Sequence, residues 1–306
     1  MNFQFLGTGA GLPSKFRNTQ SIVFNFMQEL HECWMFDCGE ATQHQILETT
    51  IKPTKIKKIF ISHLHGDHVL GLIGFLSSRS FLLDKKSTDL EIYGPVGIKE
   101  YILMNLKFTY CSLSYNIKFI EFSSEQCIID NKTLSVYAYP LRHNVECYGY
   151  KMVFKDQKGS LNVERLKSLG IEPGPFYRVI KDADTFEFNG KTYNSTDFLS
   201  EDKKGKVITV IADTRYFIEL RDFVKGSDVF ITECTYLDKK DHNLAKKNAH
   251  LSVIDVENLV KNNNIKNLYL THISARYDKI IENEVKSQLL KECNTYIAKD
   301  FAEYKI

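Results

Sequence analysis

His63-Leu64-His65-Gly66-Asp67-His68 is the stretch on which the reading of this chain turns. The apolar run Ile59-Phe60-Ile61 precedes it and Val69-Leu70-Gly71-Leu72 follows, so the local expectation is strand, short turn, then helix. Three imidazoles and a carboxylate are packed into that turn, and these are the ligand types that bind Zn²⁺ and neighbouring divalent metals. His63 and His65 alternate and can face one ion, while Asp67 and His68 face a second a few Å away. The plain alternative is a histidine-rich surface loop. Three of the nine histidines falling within six residues speaks against it.

The remaining ligands can be sought by a physical rule: in layered α/β folds, functional groups gather in loops at the carboxyl ends of strands. Three further apolar runs end on a ligand type. Leu134-Ser135-Val136-Tyr137-Ala138-Tyr139 leads through Pro140-Leu141-Arg142 to His143. Val207-Ile208-Thr209-Val210-Ile211-Ala212 ends on Asp213, and Ile265-Lys266-Asn267-Leu268-Tyr269-Leu270-Thr271 ends on His272. Taken singly, a His or Asp at a strand end is usually a turn or capping group. Taken with the hexapeptide they make five imidazoles and two carboxylates, enough for two four-coordinate metals if one carboxylate bridges.

Composition bounds the rest. A chain of 306 residues, 43% hydrophobic and 25% charged with net charge +2, can bury a large core as one domain or two. That charge does not announce a nucleic-acid binder, so any RNA-binding charge must be local. Seven scattered cysteines without a Cys-x-x-Cys fit reduced thiols in a cytoplasmic protein. No basic region followed by an apolar stretch opens the chain, so a signal peptide is not expected. The apolar run over residues 69–76 is too short for a bilayer, so no membrane association is expected. Short strands are expected over residues 3–6, 22–26 and 34–36, with helices after Glu40 and His68. Ser252-Val253-Ile254-Asp255 reads as a capping-box start to a helix, which sets His250 just ahead of a helix N-terminus. From about residue 156 to 202 the strand rhythm breaks. The aromatics Phe176, Tyr177, Phe186, Phe188 and Tyr193 make that stretch an insertion rather than a linker.

The hexapeptide with the later His, Asp and His resembles the metallo-β-lactamase superfamily. More narrowly, several separate segments resemble tRNase Z (RNase Z), the endonuclease family that removes 3′ trailers from tRNA precursors. Gly7-Thr8-Gly9-Ala10-Gly11 is similar to the family's opening glycine turn, and Pro13-Ser14-Lys15-Phe16-Arg17-Asn18 to its Pro-x-Lys-x-Arg-Asn loop. Asp37-Cys38-Gly39-Glu40-Ala41-Thr42-Gln43 resembles its Asp-x-Gly-Glu-x-Thr-Gln segment. Gly170-Ile171-Glu172-Pro173-Gly174-Pro175 looks like the Gly-Pro motif of its protruding arm, and Thr271-His272-Ile273-Ser274-Ala275-Arg276-Tyr277 like its last ligand segment. The likeness runs from residue 3 to Ala298-Lys299-Asp300-Phe301. Two departures stand out: the family's His-Glu-Ala-Thr is Thr232-Glu233-Cys234-Thr235 here, and its His-Ser-Thr is His250-Leu251-Ser252. Neither removes a ligand.

The resemblance implies an α/β fold, the four-layer αβ/βα metallo-β-lactamase sandwich, as a single domain over residues 1–306 with a tRNA-binding arm inserted at about 156–202. It implies two Zn²⁺ per subunit, other divalent metals being compatible. His63, His65 and His143 would hold one, Asp67, His68 and His272 the other, with Asp213 bridging. Asp67 would orient the attacking water, and His250, oriented by Glu233, would protonate the leaving oxygen. Asp37 would accept a hydrogen bond from a ligand imidazole. Lys15, Arg17 and Arg276 are candidate phosphate contacts, with Gly174 and Pro175 on the arm. Between Lys155 and Lys181 six Lys or Arg (Lys155, Lys158, Arg165, Lys167, Arg178 and Lys181) face three acids, Asp156, Glu164 and Glu172. On charge alone this is a solvated surface; the Gly-Pro likeness favours a phosphate grip. The expected activity is a zinc-dependent endoribonuclease acting on precursor tRNA, as a cytoplasmic homodimer. A hydrolase of small esters, lactams or thioesters would share the metal site but has no need of the arm. A general phosphodiesterase is a closer alternative. A non-catalytic binding subunit should have lost ligands, and all seven are present.

Overall fold

The computed structural model describes residues 1–83, 89–278 and 293–306, and the chain forms two compact units. The first comprises Met1–Asp130, Ser135–Met152 and Val207–Ile306; the second comprises Asn131–Leu134 and Val153–Lys206. The expected insertion over about 156–202 falls inside the second unit, which begins earlier and ends later.

The strands in chain order are β1 (Asn2–Gly7), β2 (Ser21–Phe26), β3 (Glu32–Phe36), β4 (Ile56–Phe60), β5 (Leu90–Pro95) and β6 (Ile117–Phe122). They continue with β7 (Gln126–Asp130), β8 (Leu134–Leu141), β9 (Cys147–Phe154), β10 (Thr185–Phe188), β11 (Lys191–Asn194) and β12 (Val207–Ile211). The last are β13 (Val229–Glu233), β14 (Asn267–Thr271), β15 (Asn294–Ile297) and β16 (Glu303–Lys305). Two seven-stranded sheets result, one ordered β16-β1-β2-β3-β4-β5-β6 and the other β15-β14-β13-β12-β9-β8-β7.

Side-chain alternation explains how the two sheets come together. In β2, β3 and β4, Phe24, Phe26, Trp34, Phe36 and Phe60 share one face, while Val23, Cys33, Met35 and Ile59 share the other. The aromatic face meets the second sheet: Phe3 packs edge-on against Tyr269 at 4.9 Å, and Phe60 against Tyr150 at 5.4 Å. The aliphatic face is covered by the helices Leu72–Phe81 and Ile98–Phe108 through Phe75, Leu76, Ile98 and Ile102. On the second sheet, Leu220, Phe223, Val256 and Leu259 from the helices Leu220–Val224 and Val253–Val260 fill the same role. The layers are therefore helix, sheet, sheet, helix, as expected. Truncating a fully buried ring such as Phe60 to Ala should cost about 3–5 kcal/mol.

The expected capping box is present: the Ser252 N–H and hydroxyl both donate to Asp255 Oδ2, at 2.9 and 2.7 Å, at the start of the helix Val253–Val260. One strand end differs from expectation. β8 continues through Pro140 to Leu141, so His143 stands two residues beyond the strand rather than four.

The second unit has its own core of Leu166, Ile171, Ile180, Phe186 and Phe198, around two short helices and the antiparallel hairpin β10–β11. Asn162 caps the helix Val163–Ser168 by accepting from the Arg165 N–H at 3.0 Å. Gly170, at φ +83°, ends it in a conformation that strains any residue with a Cβ.

Candidate metal centre

β3 pairs in parallel with β4, and β12, β13 and β14 are mutually parallel. Their carboxyl ends deliver Asp37, the hexapeptide, Asp213, Glu233 and His272. Register does part of the work: Glu233 is paired with Thr271, so the chain leaves β14 at His272 beside it. Asp37 and His272 both adopt positive φ, +55° and +54°, and so turn their side chains out of line with the preceding strand. Such conformations persist only where the surroundings hold them.

Seven expected ligands converge into two sets. In the first, His65 Nδ1 lies 3.0 Å from His63 Nε2 and 3.3 Å from His143 Nε2, and Asp213 Oδ2 lies 3.7 Å from the former and 3.8 Å from the latter. In the second, His272 Nε2 lies 3.3 Å from His68 Nε2 and 3.2 Å from both Asp67 Oδ2 and Asp213 Oδ1. A tetrahedral ion with bonds of about 2.0–2.1 Å sets its ligand atoms about 3.3 Å apart, which these spacings approach. Asp213 Oδ1 is buried and accepts no hydrogen bond among the described residues, although two ring nitrogens lie 3.2 and 3.5 Å away. An orphaned carboxylate oxygen facing imidazole nitrogens is costly without a cation. The residues present fit a pair of divalent ions.

The rings are held from behind. His68 Nδ1 donates to Asp37 Oδ2 at 2.8 Å, and His143 Nδ1 to the Ala249 carbonyl at 3.0 Å. Asp37 also receives the Ser62 N–H at 2.8 Å and the Ser62 hydroxyl at 2.9 Å. That hydroxyl proton is then committed, so Ser62 Oγ accepts from His63 Nδ1 at 2.9 Å. Thr235 Oγ1 lies 3.0 Å from His272 Nδ1. In the rings of His63, His68 and His143 these partners put the proton on Nδ1 and leave Nε2 inward, whereas His65 turns Nδ1 inward.

Electrostatics follow from burial and charge. Burial drives the His63 imidazole well below its usual range, with the neighbouring His68 adding to the effect. For His68 burial opposes charge, but Asp213 and Asp37 outweigh it and raise its pKa. Burial of Asp67 and Asp213 is likewise overcome, by His68 and His272, so both stay well below the normal carboxylate range. His250 is half-buried; its burial opposes protonation, yet Glu233 and Asp213 push its pKa up to about 9. Its Nδ1 lies 3.1 Å from Glu233 Oε1, and Glu233 is fully buried.

A cleft of about 290 Å³ opens over the cluster, lined by Ala10, Gly11, His65, Asp67, His143, Asn144, Asp213, Thr235, Tyr236, Asn248, His250, His272 and Ser274. The Gly11 N–H donates to Asp67 Oδ2 at 2.8 Å, which ties the opening glycine turn to a ligand. Arg276 stacks over Tyr236 with 5.2 Å to the ring centroid and is 45% exposed. Lys15 is exposed. Arg17 is turned inward instead: its Nη1 donates to Thr8 Oγ1 at 2.7 Å and to the Ala298 carbonyl, so it braces the loop. Gly174 and Pro175 are exposed in the second unit and are not among the cluster residues. Both motif departures point away from the chemistry. Thr232 is buried and, one residue before Glu233, faces the opposite side of β13; Leu251 is in the core.

Ser62 and Thr235 were not singled out from sequence. Their signals were positional: Ser62 directly precedes a ligand at a strand end, and Thr235 follows Glu233 at the spacing that shares a side of an extended chain.

A family model described as Anti-Pycsar protein Apyc1 matches residues 1–121. Ribonuclease Z of Lactococcus lactis subsp. lactis (strain IL1403) is 44% identical over 307 residues, covering 100% of both chains. Ribonuclease Z of Oceanobacillus iheyensis is 45% identical over 312 residues with the same coverage, and that of Streptococcus mutans serotype c is 47% identical over 280 residues, 90% of each chain. Among solved structures, the short form of human tRNase Z (ELAC1) is similar with a TM-score of 0.72 at 25% identity, covering 100% of this chain and 99% of that one. The metallo-β-lactamase fold protein YhfI from Bacillus subtilis is similar with a TM-score of 0.66 at 17% identity, covering 99% and 98%.

Proposed function

The chain belongs to the ribonuclease Z family, and from that we propose that it removes the 3′ trailer from precursor tRNA by hydrolysis after the discriminator nucleotide. The tRNA is left with a 3′-hydroxyl and the trailer with a 5′-phosphate. The observation that carries the reading is Asp213, whose two oxygens face different ligand sets. Two ions held as zinc sites by His63, His65, His143 and Asp213, and by Asp67, His68, His272 and Asp213, would supply charge stabilisation to both the attacking and the leaving oxygen and ionise water near neutral pH.

The protein's own groups do the rest. Asp67, ionised and fixed by the Gly11 N–H, orients the attacking water at the rim of the cleft and takes up its proton. His250, protonated and tied to Glu233, delivers a proton to the departing 3′-oxygen. Lys15 and the Arg276 guanidinium, both exposed, meet the substrate's phosphates. The second unit, with Gly174 and Pro175 exposed and six Lys or Arg against three acids between Lys155 and Lys181, serves as the tRNA-gripping arm.

The assembly is a homodimer. What supports this is the exposed apolar surface of the paired helices: Phe81, Leu103, Met104 and Phe108, with Tyr110 just beyond, are 42–95% exposed. Sedimentation giving only the monomer mass at micromolar concentration would exclude it. Among the described residues no helix is long and apolar enough to cross a membrane. The cysteines Cys33, Cys38, Cys147 and Cys234 are buried thiols, which supports a cytoplasmic location.

The direct test is incubation of purified protein with one 3′-extended precursor tRNA and mapping of both product ends. A single cut after the discriminator, with a 3′-hydroxyl on the tRNA, is expected. No cut, or a 3′-phosphate, overturns the reading.

A further inference from the structure

We infer that Thr235 is a positioning residue for the reaction: its hydroxyl sets the tautomer of His272 and, through Glu233, the orientation of His250. One buried group would thus hold both a metal ligand and the proton donor. The inference rests on the two-metal reading above and deepens it.

The argument is an account of protons. A threonine hydroxyl has one proton to give. Thr235 Oγ1 lies 2.7 Å from Glu233 Oε2, and Glu233 is otherwise surrounded by donors: the Thr214 N–H at 2.8 Å, the Thr235 N–H at 3.3 Å and His250 Nδ1 at 3.1 Å. A group met by four donors acts as a carboxylate acceptor, so the Thr235 proton goes to it. Toward His272 Nδ1, at 3.0 Å, the hydroxyl can then only accept. The His272 ring proton is thereby fixed on Nδ1, and the Nε2 lone pair is freed toward Asp67 and Asp213, each 3.2 Å away. His68 and His143 are fixed by a carboxylate and a carbonyl, but among the described residues His272 Nδ1 meets this one hydroxyl. The same oxygen is also 3.3 Å from His250 Nδ1. Thr235 is 5% exposed and Glu233 fully buried, so water is poorly placed to replace the bond.

The test compares Thr235→Val, which keeps the shape and removes the hydroxyl, with Thr235→Ser, which keeps the hydroxyl. Metal-stripped wild type and both variants are titrated with Zn²⁺ alone and then assayed on precursor tRNA. In Thr235→Val, one of the two Zn²⁺ equivalents should bind roughly 10–100-fold more weakly while the other is little changed, the usual effect of losing a partner behind a ligand. At saturating Zn²⁺, kcat should still be reduced with KM nearly unchanged, because His250 has lost a constraint. Thr235→Ser should restore both quantities to near wild type. If the valine variant does not fold, Thr235→Ala takes its place with the same expectations. Two wild-type-affinity equivalents and unchanged kcat in the valine variant overturn the inference, as does a serine variant as impaired as valine. Wild type binding fewer than two equivalents would instead overturn the two-metal reading.

Discussion

His250 Nδ1 lies 3.1 Å from Glu233 Oε1, and His250 stands outside the two ligand sets that share Asp213, gathered instead with Glu233 and His272. Its ring nevertheless reaches the same cleft as Asp67 and His272. A histidine placed so should serve proton transfer and not metal binding. His250→Ala should therefore retain wild-type metal content while cleaving precursor tRNA about 10²–10⁴-fold more slowly. His143→Ala should do the reverse at the outset and lower metal affinity. Elemental analysis alongside single-turnover cleavage separates them, and a metal-depleted His250→Ala protein would make His250 a ligand.

The same contact gives a pH prediction. His250 acts as a donor only when protonated, and its pKa is pushed up to about 9 by Glu233 and Asp213 against its burial. Activity should thus persist from neutral pH and fall as pH rises through about 9. Glu233→Gln removes the charge that stabilises the imidazolium, so the alkaline limb of kcat/KM should move to lower pH. A limb that stays in place would assign it to another group.

How much of this was legible in the sequence depends on how local each signal is. The hexapeptide declared itself because its ligands lie within six residues, and His143, Asp213 and His272 were found because a strand-end rule joins distant segments. The strands over residues 22–26 and 34–36 are read from local alternation, whereas the turning of Phe24, Trp34 and Phe36 toward the second sheet shows only in the fold. Ser62 and Thr235 escaped because a hydroxyl has no spacing signature of its own; its role exists only once the fold sets it between a carboxylate and an imidazole. Arg17 looked like a phosphate contact for the converse reason, since nothing local shows that its guanidinium turns toward Thr8 and Ala298. The apolar run is read to end at residue 139, before Pro140, yet β8 continues to Leu141.

Asp213 faces His63 with Oδ2 and His272 with Oδ1, so its loss should be felt at both ion positions. Asp213→Ala should lose occupancy at both, whereas Asp67→Ala should mainly weaken the second. The measurement is metal equivalents per folded chain by elemental analysis. Two equivalents retained in Asp213→Ala would remove the bridge, and one equivalent in active wild type would remove the dinuclear centre itself.

The second unit has its own core of Leu166, Ile171, Ile180, Phe186 and Phe198, so part of its surface can be altered while the first unit keeps its ligands. If residues 170–175 grip tRNA, they add binding energy without entering the chemistry. Shortening that stretch should then weaken precursor tRNA binding and cleavage strongly. It should also flatten the dependence on salt, because fewer counterions are released when fewer phosphates are contacted. Hydrolysis of bis(p-nitrophenyl) phosphate, which engages only the metal cluster, should change little. Both substrates are to be assayed with one variant confirmed to be folded and metal-loaded. Equal losses on both substrates would make the segment structural, and an undiminished rate on tRNA would remove the arm from substrate recognition.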